Sequence, residues 1–131
     1  TQTTRKDFDL TVTITPEHGW MLDPVGQRWA ILPKGKSTSF TMQIKNTGNL
    51  AVDVWGLVVT VEFLPTSLER INMTFTVYEQ RILKQNEEAV FMWVFGTNID
   101  RPQHTHGVEL TFKVRVLQLD KEIKVLGRFT Q

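Results

Sequence analysis

The strongest feature of the sequence is a period-two alternation of apolar and polar residues that recurs along most of the chain. Successive side chains of a β-strand point to opposite faces, so this alternation predicts strands that bury one face only. The clearest runs cover residues 8–14, 40–44, 55–63, 71–77 and 108–116. No segment combines a 3.6-residue apolar period with helix caps. Short strands joined by polar turns therefore predict an all-β fold, an antiparallel β-sandwich of roughly seven to nine strands.

The size and charge of the chain limit both its architecture and its partners. With 131 residues it is long enough to bury a core without a metal or a disulfide, and it contains no cysteine. We therefore expect one sandwich domain over residues 1–131. Fifteen basic and fourteen acidic side chains leave a net charge of +1, so we expect no nucleic-acid partner. No apolar run approaches the ~20 residues that cross a bilayer, which predicts no transmembrane segment in this chain.

Two predicted strands break the alternation. In residues 89–95 the odd- and the even-numbered residues are all apolar, so both faces of the strand are apolar. This indicates either a central strand covered by a loop or a strand whose outer face contacts another chain. Near Gly56 the apolar residues switch from Val52 and Val54 to Trp55 and Leu57, and an extra residue in a β-bulge would explain that switch. Trp55 and Trp93 lie in phase with apolar strand positions, so we expect both in the core.

A stretch in the first half of the chain resembles a known type of module. It consists of Leu32-Pro33-Lys34-Gly35-Lys36, an alternating strand from Phe40, and Asn46-Thr47-Gly48-Asn49 followed by Val52. This order is similar to that of the immunoglobulin-like NEW3 and CARDB modules of archaeal and bacterial cell-surface proteins, over roughly residues 30–118. The resemblance implies an immunoglobulin-like, extracytoplasmic and usually non-catalytic sandwich. The N-terminal arm and a long aromatic loop around Trp20 have no counterpart in it.

The function that we expect from these features is structural. The chain would be a non-catalytic subunit of a cell-surface filament or envelope, located outside the cell, with itself or other surface proteins as partners. Residues 1–15 are then either the first strand of the domain or a strand donated to a neighbouring subunit. In the second case Phe8, Leu10, Val12 and Ile14 would fill successive pockets of that neighbour.

An alternative function is that of a carbohydrate- or protein-binding accessory module. Trp20 and Trp29 flank a turn-rich segment, and exposed aromatic rings at these positions could stack on sugar rings. The other interpretation is that the segment folds over one end of the sandwich and buries its aromatic side chains there.

Sites for chemistry are few. His104 and His106 have the spacing that places two imidazoles on one strand face, which is a candidate metal site. Asn72-Met73-Thr74 is a glycosylation sequon, with Asn72 as the acceptor. The chain has no Gly-x-Ser-x-Gly elbow, no cysteine nucleophile and no glycine-rich phosphate loop. We therefore predict no enzymatic activity and no cofactor.

Overall fold

The computed structural model describes residues 7–64, 72–96, 106–119 and 121–130. Its strands are β1 (Leu10–Pro16), β2 (Trp20–Leu22), β3 (Arg28–Pro33), β4 (Thr38–Asn46), β5 (Val52–Leu64), β6 (Asn72–Leu83), β7 (Glu88–Phe95), β8 (Gly107–Val116) and β9 (Lys121–Thr130). The all-β prediction is confirmed. The residues in these ranges form no helix, and so none that is long and apolar enough to cross a membrane.

The strands form two sheets that pack face to face. The smaller sheet has the order β1-β4-β7, and the larger one has the order β2-β3-β9-β8-β5-β6. The inward residues of both sheets join in one apolar core, as expected for a sandwich. One strand pair differs from a wholly antiparallel arrangement, because β3 runs parallel to β9 from Ala30 to Pro33. Period-two alternation cannot reveal this, since it reports which face of a strand is buried and not which strand lies beside it.

Aromatic contacts join the two sheets at the centre of the core. Trp93 on β7 lies 5.8 Å from Phe40 on β4, measured between ring centroids. Across the sandwich, the same ring lies 5.5 Å from Phe75 on β6 and 6.0 Å from Phe112 on β8. These tilted and edge-on pairs are the arrangements that aromatic quadrupoles favour. The predicted burial of Trp93 is confirmed, since the side chain is 6% exposed.

The predicted bulge in β5 is confirmed, but its effect on Trp55 was predicted wrongly. Along β5 the ladder passes from Val54, opposite Val116, to Gly56, opposite Arg115. Two residues of β5 therefore face one step of β8, and Trp55 is the extra residue. The bulge leaves its side chain 47% exposed, outside the core. Beyond the bulge, Leu57, Val59, Val61 and Phe63 return to the buried face.

The segment around Trp20 and Trp29 is a hairpin rather than the long aromatic loop predicted from the sequence. β2 and β3 pair antiparallel, with Trp20 opposite Ala30 and Met21 opposite Trp29. The carboxylate of Asp23 organises the intervening turn, because its Oδ1 accepts hydrogen bonds from the backbone N–H groups of Val25 and Gln27 at 3.0 and 2.8 Å. Such a side-chain-organised turn lets a short polar segment reverse the chain.

A buried amide holds one end of the sandwich together. Asn46, the last residue of β4, is fully buried, and its Nδ2 donates hydrogen bonds to the carbonyl oxygens of Leu50 and Leu83, both at 2.8 Å. Its Oδ1 accepts a bond from the backbone N–H of Gly48 at 2.9 Å. Leu83 ends β6, so this one side chain ties the smaller sheet to the larger. Its hydrogen bonds offset the cost of burying an amide.

Replacing Gly56 with alanine tests the bulge. Gly56 has φ 150°, and an added Cβ would lie 2.1 Å from the carbonyl oxygen of Val77. We expect Gly56→Ala to lower the free energy of unfolding by about 3–4 kcal/mol, from backbone strain and overpacking together. Urea denaturation measures the change. The control is Gly35→Ala, at φ 75° with no atom near the added Cβ, where only backbone strain of about 1–2 kcal/mol is expected. Equal losses in the two variants would contradict the predicted steric clash.

Candidate interaction surfaces

Strand β7 exposes an apolar stripe on the outer face of the smaller sheet. Ala89, Phe91, Trp93 and Phe95 point into the core, whereas Val90, Met92 and Val94 are 53%, 62% and 48% exposed. The first interpretation of residues 89–95, a central strand covered by a loop, is wrong. β7 is an edge strand of its sheet, and no described residue covers its outer side chains. The apolar outer face is therefore available to another chain.

Among the residues that the structure describes, none protects the edge of β7 as the other sheet edges are protected. Proteins block edge strands with charges, prolines, bulges or short length. β1 presents Thr11, Thr13 and Thr15 to solvent and ends at Pro16, β6 carries Glu79 and Arg81, and β2 has only three residues. β7 has no charged residue after Glu88, and its register with β4 runs unbroken from Lys45 to Thr38.

The N-terminal strand pairs within its own chain. β1 runs antiparallel to β4, from Leu10 opposite Asn46 to Pro16 opposite Phe40. Leu10 is buried in the core, and Val12 and Ile14 are half-buried against it. Phe8 precedes the strand and is 44% exposed. Leu10, Val12 and Ile14 therefore face the core of their own domain, whereas Phe8 is exposed. Exchange of this strand between subunits stays a prediction.

Trp20 and Trp29 do not form one aromatic platform. Paired residues of a hairpin share a face, so Trp20 lies on the side of Ala30, and Trp29 lies on the opposite side with Met21. The guanidinium carbon of Arg28 lies 3.8 Å above the ring of Trp20, which is half-buried against the core. Trp29 is only 9% exposed. The expectation that both rings are exposed side by side is therefore wrong, because strand alternation separates neighbours on β2 and β3.

The indole of Trp29 is bound to the turn that precedes it. Its Nε1–H donates a hydrogen bond to Oδ2 of Asp23 at 2.9 Å. This bond lowers the pKa of Asp23 below its ordinary value of 3.8, and the backbone N–H groups of Gln27 and Val25 act in the same direction, whereas desolvation opposes them. The more distant charge of Arg128 lowers the pKa further. The ionised carboxylate therefore fixes both the turn and the indole.

The remaining predicted sites are only partly within the described residues. His106 is exposed just before β8, with its ring centroid 6.1 Å from that of Trp29. His104 lies outside the described residues, so the proposed histidine pair is not tested. No three potential metal ligands come together in the described part of the chain. Asn72 is the first residue of β6 and pairs with Glu62. Its side chain lies outside what the structure describes, and its glycosylation stays a prediction.

Comparison with known proteins supports the fold and leaves the function open. No family model and no curated protein sequence match the chain. Among solved structures it is similar to the sporulation control protein Spo0M of Bacillus subtilis, with TM-score 0.64 and 15% identity over 93% of this chain and 49% of that one. It is also similar to a protein of Bordetella pertussis described as ApaA, with TM-score 0.56 and 18% identity over 96% and 98% of the two chains.

A third likeness is to part of a β-glucosidase of Listeria innocua, with TM-score 0.57 and 12% identity. It covers 93% of this chain but 16% of the glucosidase. The chain thus spans about half of Spo0M and a small part of the enzyme. At these identities the likenesses show the all-β fold alone. No family model confirms the resemblance to the NEW3 and CARDB modules.

The contact between Asp23 and Trp29 predicts a pH-dependent contribution to stability. A carboxyl whose pKa is lowered on folding stabilises the protein above its unfolded pKa, and this contribution disappears as the pH falls through the folded value. We expect Asp23→Asn to reduce the free energy of unfolding at pH 7, and the difference from the wild type to shrink as the pH falls below 3.8. Urea denaturation at neutral and acidic pH measures both quantities.

The variant Trp29→Phe is the matched test of the same contact, because it keeps an aromatic ring and removes the indole N–H donor. In the wild type, ionised Asp23 contributes a pH-dependent part of the free energy of unfolding. Trp29→Phe should lack most of that contribution, as Asp23→Asn does. A difference between wild type and Asp23→Asn that stays constant with pH would contradict the role given to the ionised carboxylate.

Proposed function

We propose that this chain is a non-catalytic structural module that pairs with a second copy of itself through β7, as the dimeric building unit of a filament or envelope at the cell surface. The observation that carries the proposal is the exposed stripe of Val90, Met92 and Val94 on an unprotected edge strand. A strand edge offers unpaired backbone N–H and C=O groups, so a second strand can extend the sheet. The extracellular location rests on the resemblance of residues 30–118 to cell-surface modules.

The stripe is complementary to itself. If two β7 strands pair antiparallel about a two-fold axis at Met92, Val90 of each copy lies opposite Val94 of the other. Glu88 then falls opposite Gly96, so the pairing opposes no like charges. Two three-stranded sheets would join into one of six strands, with an apolar stripe across the junction. Such an isologous contact is the commonest way in which identical chains associate. It closes at the dimer, so a filament built from these dimers would need a second contact.

Edge pairing is the simpler of two routes to an assembly. Strand donation would require β1 to leave β4, where its backbone is paired from Leu10 to Pro16 and where Leu10 is buried in the core. Pairing through β7 requires no such opening, because the strand already presents its edge. We therefore place the primary contact at β7 and keep donation of residues 1–15 as the alternative.

Met92→Lys is the direct test of the β7 contact. In the two-fold arrangement it places two lysines opposite each other, and like charges directly opposite destabilise a strand pair. We expect wild-type protein to dimerise with rising concentration, and Met92→Lys to weaken dimerisation by at least about tenfold. Light scattering coupled to size-exclusion chromatography measures the mass. The control is Thr13→Lys, on the outer face of the opposite edge strand β1, which should leave association unchanged.

A charge-swap variant sharpens this test. Self-association of Met92→Glu alone should also be weakened. An equimolar mixture of Met92→Lys and Met92→Glu should associate again, as a mixed dimer. A wild-type protein that remains monomeric at all accessible concentrations would contradict the proposal. Undiminished association of Met92→Lys would show that β7 is not the contact between the copies.

A designed disulfide separates edge pairing from strand donation. Thr13 and Gln43 face each other across β1 and β4 and are both exposed, and the chain has no cysteine of its own. In the double variant Thr13→Cys/Gln43→Cys, oxidation would lock β1 onto its own chain. We expect association to be the same in the oxidised and reduced forms. Loss of association on oxidation alone would favour donation of residues 1–15.

A further inference from the structure

A second surface lies on the outer face of the larger sheet, where the bulge in β5 opens a shallow cleft of about 690 Å³. Its floor is formed by Gly56 and Val58 on the central strand β5. One wall is formed by β6 with Tyr78, and the other by β8 with Lys113 and Arg115. Trp55 and Leu117 also line the cleft.

The absence of a side chain at Gly56 creates this trough. Tyr78 and Arg115 lie opposite Gly56 on its two sides, so these three residues form one row across the sheet. Neighbouring strands lie about 4.8 Å apart, so the backbones of the two outer residues are separated by roughly 9.6 Å. In the next row, Val58 lies between Thr76 and Lys113. The backbone conformation and the close approach of Val77 require glycine at position 56, so the trough is built into the bulge.

The cleft displays aromatic surface that the core does not use. Trp55 is 47% exposed and Tyr78, the sole tyrosine of the chain, is 83% exposed. Leu117 is also exposed beside them. Scattered single apolar residues are normal on a protein surface, but an aromatic pair with an aliphatic neighbour around one depression is typical of a binding site.

The charged side chains that line the cleft are both positive. Lys113 and Arg115 are exposed on the outer face of β8, and neither forms an ion pair with any residue that the structure describes. Glu122 on β9 lies opposite Lys113, whereas no acidic residue in the described ranges lies directly opposite Arg115. The acidic side chain of Glu79 is bound to Arg81 instead, and Asp53 accepts hydrogen bonds from Gln80. Two residues apart on one strand, the two cations are separated by roughly 6.7 Å of backbone.

The position of the cleft favours a carbohydrate over a peptide. It lies on the face of a sheet, above β5, whose backbone is paired on both sides with β6 and β8. A peptide on this face could not extend the sheet, because the backbone of β5 is already paired and offers it no partners. A sugar ring can place its C–H face on the electron-rich faces of Trp55 and Tyr78 while its hydroxyl groups stay hydrated.

We propose that this cleft binds an acidic glycan, with the rings of Trp55 and Tyr78 stacking on sugar residues and Lys113 and Arg115 pairing with uronate carboxylates. Arg115 supplies the planar fork that binds a carboxylate in a bidentate manner, and Lys113 supplies a second point charge. The site is separate from β7, so it adds a ligand to the proposed assembly and does not depend on it.

The binding test uses polygalacturonate, an acidic glycan, and dextran, a neutral one, with isothermal titration calorimetry on the full chain. We expect polygalacturonate to bind, with an affinity that falls as salt is raised, and dextran to bind at least about tenfold more weakly. Trp55→Ala and the double variant Lys113→Gln/Arg115→Gln should each weaken polygalacturonate binding by about tenfold or more.

Matched controls separate the cleft from general charge and general aromatic exposure. Lys34→Gln/Lys36→Gln removes the same two positive charges from the exposed turn between β3 and β4, and Phe8→Ala removes an aromatic residue of similar exposure at 44%. Both should bind polygalacturonate as the wild type does.

Three results would overturn the proposal. Absence of polygalacturonate binding would remove the acidic-glycan ligand. Equal weakening by the cleft variants and by Lys34→Gln/Lys36→Gln would mean that only net charge matters. Tighter binding of poly-glutamate than of polygalacturonate, lost in Trp55→Ala, would assign the cleft to an acidic polypeptide instead.

Discussion

The rest of the structure depends on the contacts that Trp93 makes across the interior of the sandwich. Its ring touches Phe75 and Phe112 of the larger sheet and Phe40 of its own. Because Trp93 belongs to an edge strand, these contacts fix which face of β7 points inward. Period-two geometry then requires the intervening residues to point outward. The apolar stripe proposed as a self-association surface is therefore a direct consequence of how the core is packed.

The bulge in β5 likewise determines which side chains are exposed on the outer face of the larger sheet. The inward residues change parity between Val54 and Leu57, and the ladder accommodates this by leaving Trp55 unpaired. A large aromatic ring is thereby moved from the core to the surface, beside a glycine that no other residue can replace without strain. One irregularity in the ladder thus serves the packing of the core and forms the floor of a cleft. The two proposed surfaces lie on different sheets and can be occupied together.

Several features could be predicted because they depend on local alternation. The buried face of β4 and the existence of a bulge near Gly56 follow from apolar parity along a single strand. The outward position of Trp55 was missed, since the parity switch does not say which residue is the extra one. The sequence signal that bears on it is the glycine itself, because a glycine inside a strand often marks a bulge, and Trp55 is next to it. The hairpin at Trp20 and Trp29 was missed because its strands are short and their polar turn resembles a loop.

The sequence by itself determined that the chain forms an all-β sandwich, because side-chain alternation depends only on the order of residues. It also identified residues 89–95 as a strand that is apolar on both faces. Only the tertiary structure decided that this strand lies at an edge and that Trp29 is bound to Asp23. Only it placed Tyr78, Gly56 and Arg115 in one row. These relations join residues far apart in the chain, and they are set by which strands become neighbours when both sheets bury their apolar faces together.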